Sequence, residues 1–207
     1  HEYIAKTMGK LQPDVKRVIT CHLGGSSSIC AILEGKSIAT SMGATLQSGL
    51  FNNNRVGDFE PFCLKPIMEH YGYSLDETLN ILSKKSGLLG LSGVSNDLRL
   101  VMEAAQAGDD RAQLAVDTLC DNILGYIGMY AAYLNGLDAL VFTGGIGESS
   151  VLIREKVCTA LAHLGVALDT EKNALPSSEI RIVSAADSKV KIWIIPANEE
   201  LGIARRT

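Results

Sequence analysis

Aromatic residues supply only 5 % of these 207 residues, with one tryptophan, and there are only five prolines. A core must therefore be built from aliphatic side chains, and a Pro-rich linker or low-complexity architecture is excluded. No apolar run reaches the ~18 residues of a membrane span, and no signal peptide is visible. Charges of both signs are scattered without a long like-charged block. The net charge of −4 lacks the basic footprint that a nucleic acid or an anionic membrane would require, so neither is expected as a partner. Cysteine is also scarce in useful patterns. Cys21, Cys30, Cys63, Cys120 and Cys158 are odd in number and form no CxxC pair, which argues against zinc or a disulfide framework. Most sit in apolar stretches, as buried thiols of a reducing cytoplasm do. The first residue is His1 rather than Met, so the chain reads as a fragment or a processed form.

What is present is enough apolar residue, 46 %, to bury a sizeable core in one large or two small domains. The order is strand-rich first, then helical, then mixed. Residues 15–23, 29–33 and 37–42 read as strands, joined by the loop Gly24-Gly25-Ser26-Ser27-Ser28 and the turn Glu34-Gly35-Lys36. A polar loop over 48–57 holds Asn52-Asn53-Asn54-Arg55. Ser74-Leu75-Asp76-Glu77 has capping-box form and starts a helix that stops near Ser86-Gly87. Asn96 can cap a helix running to Gly108. A long helix over about 110–134 follows, ended by Asn135-Gly136. Strands are expected over 139–142, 180–183 and 190–195, and a short helix over 198–206.

Three stretches carry the chemistry. Thr143-Gly144-Gly145-Ile146-Gly147-Glu148 lies where an apolar strand gives way to helical spacing at Ile153, Val157, Ala160 and Leu164. Glycine there lets backbone approach a ligand, and a helix N-terminus can offer N–H groups to an anion; a tight turn without any ligand is the competing reading. The Gly/Ser loop after Cys21-His22-Leu23 could cradle phosphoryl oxygens with successive amides and hydroxyls. Ser95-Asn96-Asp97-Leu98-Arg99 sets a carboxylate and a guanidinium at one helix start. Strand, Gly/Ser turn, strand, turn, strand and then helices is the order of sugar kinases, actin and Hsp70-type ATPases. The expected fold class is thus α/β, ribonuclease H-like, with a mixed β-sheet flanked by helices.

The chain resembles the C-terminal part of the acetate/propionate kinase family. The matching segments are His22-Leu23-Gly24, Thr40-Ser41-Met42-Gly43, Gly49-Leu50, Arg55 with Gly57-Asp58 and Pro61, and Lys84-Lys85-Ser86-Gly87. They continue through Gly93 to Arg99, Leu134-Asn135-Gly136, Phe142 to Glu148, and Pro196 to Leu201. The resemblance implies an ATP:carboxylate phosphotransferase that makes or consumes an acyl phosphate with Mg²⁺. It implies phosphate contacts from His22, Leu23, Gly24, Gly25 and Ser26, and nucleotide contacts from Asp97, Leu98 and Arg99. Gly145, Ile146, Gly147, Glu148 and Ser149 are implied against the adenosine of ATP or ADP. Arg55 is implied as the catalytic arginine on the transferring phosphoryl group, and Glu199 as the glutamate associated with Mg²⁺, with Glu200 beside it. Residues 1–197 would form the nucleotide-binding domain, and a tail helix over 198–207 would pack on an N-terminal domain absent from this chain.

Several positions depart from the family pattern. His-Leu-Gly-Asn-Gly becomes His22-Leu23-Gly24-Gly25-Ser26, and Met-Gly-Thr-Arg becomes Asn52-Asn53-Asn54-Arg55. Leu46 replaces a proline that helps line the acyl pocket, and Ala44 replaces a phenylalanine. The preferred short carboxylate is therefore open. By resemblance the intact protein is a homodimer, and the isolated chain is expected not to turn over. A kinase-like module that binds nucleotide without acyl phosphate chemistry is the alternative.

Overall fold

The computed structural model describes residues 1–197. In chain order they form α1 (Glu2–Leu11), β1 (Arg17–His22), β2 (Ser28–Leu33), β3 (Lys36–Thr40), α2 (Leu64–Tyr71), α3 (Leu75–Lys84), α4 (Gly87–Ser92) and α5 (Leu98–Gln106). Then come α6 (Asp110–Tyr133), β4 (Ala139–Thr143), α7 (Gly144–Ser149), α8 (Val151–Ala160), α9 (Thr170–Ala174), β5 (Arg181–Ile182) and β6 (Lys191–Ile194). Two compact units divide them. The first holds 1–24, 28–40 and 123–197; the second holds 25–27 and 41–122.

The first unit is built on a mixed six-stranded sheet in the order β3-β2-β1-β4-β6-β5. β1, β4 and β6 run parallel, and β2, β3 and β5 pair antiparallel to their neighbours. The central strands are apolar almost without interruption because both faces are covered. On one face Ile4 and Met8 of α1 pack over Val18, Cys30, Ile32, Val141 and Trp193. The alternate residues Ile19, Cys21, Leu140 and Phe142 are fully buried on the other. There Cys158 of α8 lies near enough to Cys21 to raise its thiol pKa further, beyond what burial alone does. This is the α/β class and mixed sheet expected from the sequence.

Helix α1 is an addition to the expected strand-first order. Only Ile4 and Met8, one turn apart, are buried in it, and Gly9 lies within it, so its periodic signal is short. At the far end of β1, Arg17 Nε donates to Asp138 Oδ1 at 3.0 Å while Nη1 donates to the Asn135 carbonyl at 2.8 Å. That fork fixes the turn at Asn135 (φ +52) and Gly136 that ends α6, as the sequence suggests.

The second unit is helical. Ser74 caps α3 through the expected capping box with Glu77. Helix α5 begins one residue later than anticipated: Asp97, not Asn96, is its cap, the carboxylate accepting from the Arg99 amide at 2.9 Å. Both residue types cap well, and the choice is made by which side chain reaches back to the first turn. The anticipated helix over 198–206 lies outside the described residues.

Candidate functional site

The end of β1 and the end of β4 are locked together by backbone. Leu23 N donates to the Thr143 carbonyl at 2.8 Å, and the Leu23 carbonyl accepts from Ile146 N at 2.9 Å and Gly147 N at 3.1 Å. Gly144 takes φ +77, and a Cβ on it would stand 2.7 Å from the Leu23 oxygen. Only glycine permits that approach. The Glu148 carboxylate folds back to accept from Gly144 N at 2.8 Å and from Ala197 N, past the end of β6, at 2.9 Å.

These bonds correct one reading of the Thr143–Ser149 stretch. A helix N-terminus attracts an anion through unpaired amides. Here the amides of Gly144, Ile146 and Gly147 are already used, and a carboxylate occupies the first turn. The helical segment that follows β4 is also two helices rather than one, because Ser150 leaves helical geometry (ψ 97) and caps α8. What remains open is Gly145, which is exposed, with nothing beyond its chain neighbours and its own helix backbone within 4 Å of where a Cβ would stand. Ile146 and Glu148 are half-buried, Gly147 is buried, and the exposed Ser149 hydroxyl donates to the Gly145 carbonyl.

His22 and Leu23 lead into the Gly/Ser loop. Leu23 is buried and His22 half-buried, its ring edge-on to that of His1. Gly25 and Ser26 are exposed, Gly24 half-exposed. In the second unit the Ser27 amide donates to Asn52 Oδ1, so the Gly/Ser loop is tied to the loop that carries Arg55. Asn52 is buried, and its Nδ2 donates to the Leu50 carbonyl at 3.0 Å. The carbonyls of Asn54, Asn52 and Asn53 accept from Ser86, Leu88 and Leu89, each at 3.0 Å. The first turn of α4 thus finds its acceptors in the asparagine loop. Gly87 (φ +63) allows it, since a Cβ there would meet the Asn52 oxygen at 2.0 Å. Arg55 stands half-exposed on this loop with Nη1 on the Leu46 carbonyl at 2.7 Å.

Asp97 and Arg99 pair with each other. Arg99 Nε reaches Asp97 Oδ1 at 3.0 Å and Nη2 reaches Oδ2 at 2.6 Å. The side-chain and then the backbone hydrogen bonds from Arg99 hold the Asp97 carboxyl down at about 2. Leu98 between them is 5 % exposed, so its side chain belongs to the core and only its backbone is available. Glu199 and Glu200 lie outside the described residues. A residue that sequence reading passed over is Arg154, 1 % exposed in α8; between Ile153 and Glu155 it looks like an ordinary helix-surface charge.

Comparison with known proteins matches residues 1–205 to the Acetokinase family. The acetate kinase of Syntrophomonas wolfei is 48 % identical over 211 aligned residues, which cover the whole chain and 53 % of that protein. The crystal structure of Porphyromonas gingivalis acetate kinase superposes with a TM-score of 0.94 at 38 % identity, covering 100 % of this chain and 53 % of that one. A propionate kinase structure from Francisella tularensis gives 0.91 at 40 %, with the same coverages. The chain therefore spans about half the length of the curated relatives it matches.

Proposed function

The chain belongs to the Acetokinase family, and we propose that it is the nucleotide-binding half of a kinase that passes a phosphoryl group reversibly between ATP and a short-chain carboxylate. The observation that carries this is the bare backbone at Gly145, flanked by amides already satisfied and by the Glu148 carboxylate. Such a surface suits the uncharged adenosine and repels phosphate. In the second unit, taken by itself, the exposed Gly25-Ser26 loop offers groups suited to phosphate, and Arg55 has a planar fork that can bridge a γ-phosphate and a carboxylate. Phosphoryl transfer needs positioning and charge neutralisation more than covalent help, and these residues supply both. Asp97 and Arg99, in the same unit as Arg55, are nucleotide contacts by the family resemblance.

Mg²⁺ is the cation such chemistry uses. Among the described residues no group of three or more His, Cys, Asp or Glu could hold a metal ion. By the family resemblance Glu199 would hold Mg²⁺ through a hard carboxylate oxygen, and the ion would supply neutralisation of phosphate charge. Titration calorimetry tests the reading: Mg-ADP should bind at one site, adenosine should compete, and inorganic phosphate alone should not. No binding at millimolar Mg-ADP would overturn it.

Because the relatives are about twice as long, turnover is assigned to the intact protein and not to this chain alone. A nucleotide-binding module without acyl chemistry would bind Mg-ADP equally well, so turnover of the intact protein with acetate or propionate decides between them. A homodimer is supported by the α2–α3 hairpin. α2 buries no residue, Phe62 is 87 % exposed before it, and Tyr71, Leu75 and Leu79 are exposed too. Lys65, Lys84 and Lys85 balance Glu69, Asp76 and Glu77 there, so two copies can meet without net repulsion. Sedimentation of a Phe62→Glu/Leu79→Glu variant should shift to monomer. Five free thiols and no helix long and apolar enough to cross a membrane, among the described residues, are compatible with a cytoplasmic setting.

A further inference from the structure

Arg154 is a buried cation that no carboxylate faces among the described residues. Its guanidinium is spent on neutral oxygens. Nη1 donates to the carbonyls of Gly147 and Glu148, both at 2.9 Å, Nη2 to the Asn173 carbonyl at 3.0 Å, and Nε to Asn173 Oδ1 at 2.6 Å. Asn173, itself 1 % exposed in α9, is held in turn by Nδ2 on the Val151 carbonyl at 3.1 Å. Burial, with the neighbouring charge of Arg181, pushes the Arg154 pKa down to about 10, still protonated at neutral pH. Burying an unpaired charge is costly, and stability alone would be served as well by an apolar side chain.

The geometry indicates what the charge is used for. Gly147 and Glu148 contribute the last carbonyls of α7, which Ser150 leaves without helical partners. A cation is favoured at a helix C-terminus, and a planar fork can hold two successive carbonyls while anchored on a third element. α7 is thus gripped from both sides. Glu148 ties its first amide to Ala197, and Arg154 ties its last carbonyls to Asn173.

We infer that Arg154 is a positioning residue: through the Gly147 and Glu148 carbonyls it sets the backbone of the Gly145–Ser149 segment at the nucleotide. This rests on the adenosine reading given under Proposed function. Arg154 touches no ligand in this account and works only by fixing α7.

The test uses the full chain, wild type and Arg154→Lys, with two independent readouts. Amide hydrogen exchange in the ligand-free chain reports the clamp itself, and calorimetric titration with Mg-ADP reports its consequence. Lysine keeps the charge but cannot span three carbonyls and an amide oxygen. Exchange at Ile146–Ser150 should accelerate, with that of β1 and β4 unchanged. Mg-ADP affinity should fall by about tenfold, the loss of roughly one charge-assisted hydrogen bond's worth of order. Unchanged exchange at Ile146–Ser150 overturns the inference whether or not nucleotide binds. Failure of the wild type to bind Mg-ADP overturns the adenosine reading instead, and the exchange result still judges the clamp. Should Arg154→Lys not fold, Asn173→Ala carries the same test. It removes only the Oδ1 anchor of Nε and the Nδ2 bond to Val151, and a smaller change in the same direction is expected.

Discussion

Replacing Gly144 by alanine should damage the fold, whereas the same change next door at Gly145 should not. Gly144 sits at φ +77, where an L-residue costs about 1–2 kcal/mol. Its new Cβ would also stand 2.7 Å from the Leu23 carbonyl oxygen, a backbone atom that cannot swing aside. Moving that oxygen loosens its bonds to Ile146 N and Gly147 N, each of them about 1 kcal/mol. Together these give about 2–4 kcal/mol of destabilisation, or a melting temperature roughly 4–16 °C lower for a chain of this size. At Gly145 nothing beyond its chain neighbours and its own helix backbone lies within 4 Å of a Cβ, and alanine is favoured in a helix by ~0.5–1 kcal/mol, so stability should hold or rise slightly. Affinity for Mg-ADP should nevertheless drop there, because the bare surface is gone. Trp193 is the only tryptophan, lies in β6 of the same unit, and is 7 % exposed, so its fluorescence in a urea or thermal melt reads out this region. A Gly144→Ala melt indistinguishable from the parent would refute the close-approach argument. Equal destabilisation at both positions would show that the segment tolerates no side chain for reasons unrelated to a ligand.

In the intact enzyme Arg55→Ala should cut turnover by orders of magnitude with nucleotide affinity nearly unchanged, and Arg55→Lys should restore only part; near-normal turnover would reduce Arg55 to a loop residue. The Asp97 carboxyl, held at about 2, contributes stability that is complete above its ordinary pKa of 3.8 and is lost as pH falls toward 2. Carbon-13 NMR should therefore find it still ionised at pH 3 while unperturbed aspartates are mostly protonated, and a midpoint near 4 would contradict the Arg99 pairing. Leu46 is 58 % exposed and lends its carbonyl to Arg55, so it is free to shape an acyl site. The intact enzyme should use propionate at a rate comparable with acetate, with Leu46→Pro shifting the ratio of specificity constants by the ~1–3 kcal/mol typical of one methylene. A strong acetate preference that Leu46→Pro leaves untouched would place specificity elsewhere.

What the sequence made legible was local or dense. The β1–β2–β3 hairpins, the Ser74–Glu77 capping box and the Asn135-Gly136 stop each declare themselves within a few residues. Helices α2, α4 and α9 escaped because they are short and bury three residues or fewer, which leaves almost no periodicity to read. Gly25, Ser26 and Gly145 are exposed, while the use of the α7 amides could not be foreseen. Their acceptor, the Leu23 carbonyl, is distant along the chain, and local pattern carries no such information. Arg154 was hidden for a related reason: its burial is decided by α9, a five-residue helix too short for periodicity to show.

The parallel pairing of β1 with β4 also has a consequence for how the chain is made. His22 meets Thr143 across that ladder, so β1 leaves the ribosome about 120 residues before its partner, roughly 6–24 s earlier at ~5–20 residues per second. During that interval β1 can close its hairpin with β2 at once, but its other edge, the apolar run Val18-Ile19-Thr20-Cys21, has no strand to pair with. The Leu23 carbonyl likewise waits for α7. The junction at Gly144–Gly147 is thus among the last parts of the first unit to be completed during synthesis, and the nascent chain is most open to mispairing before it forms.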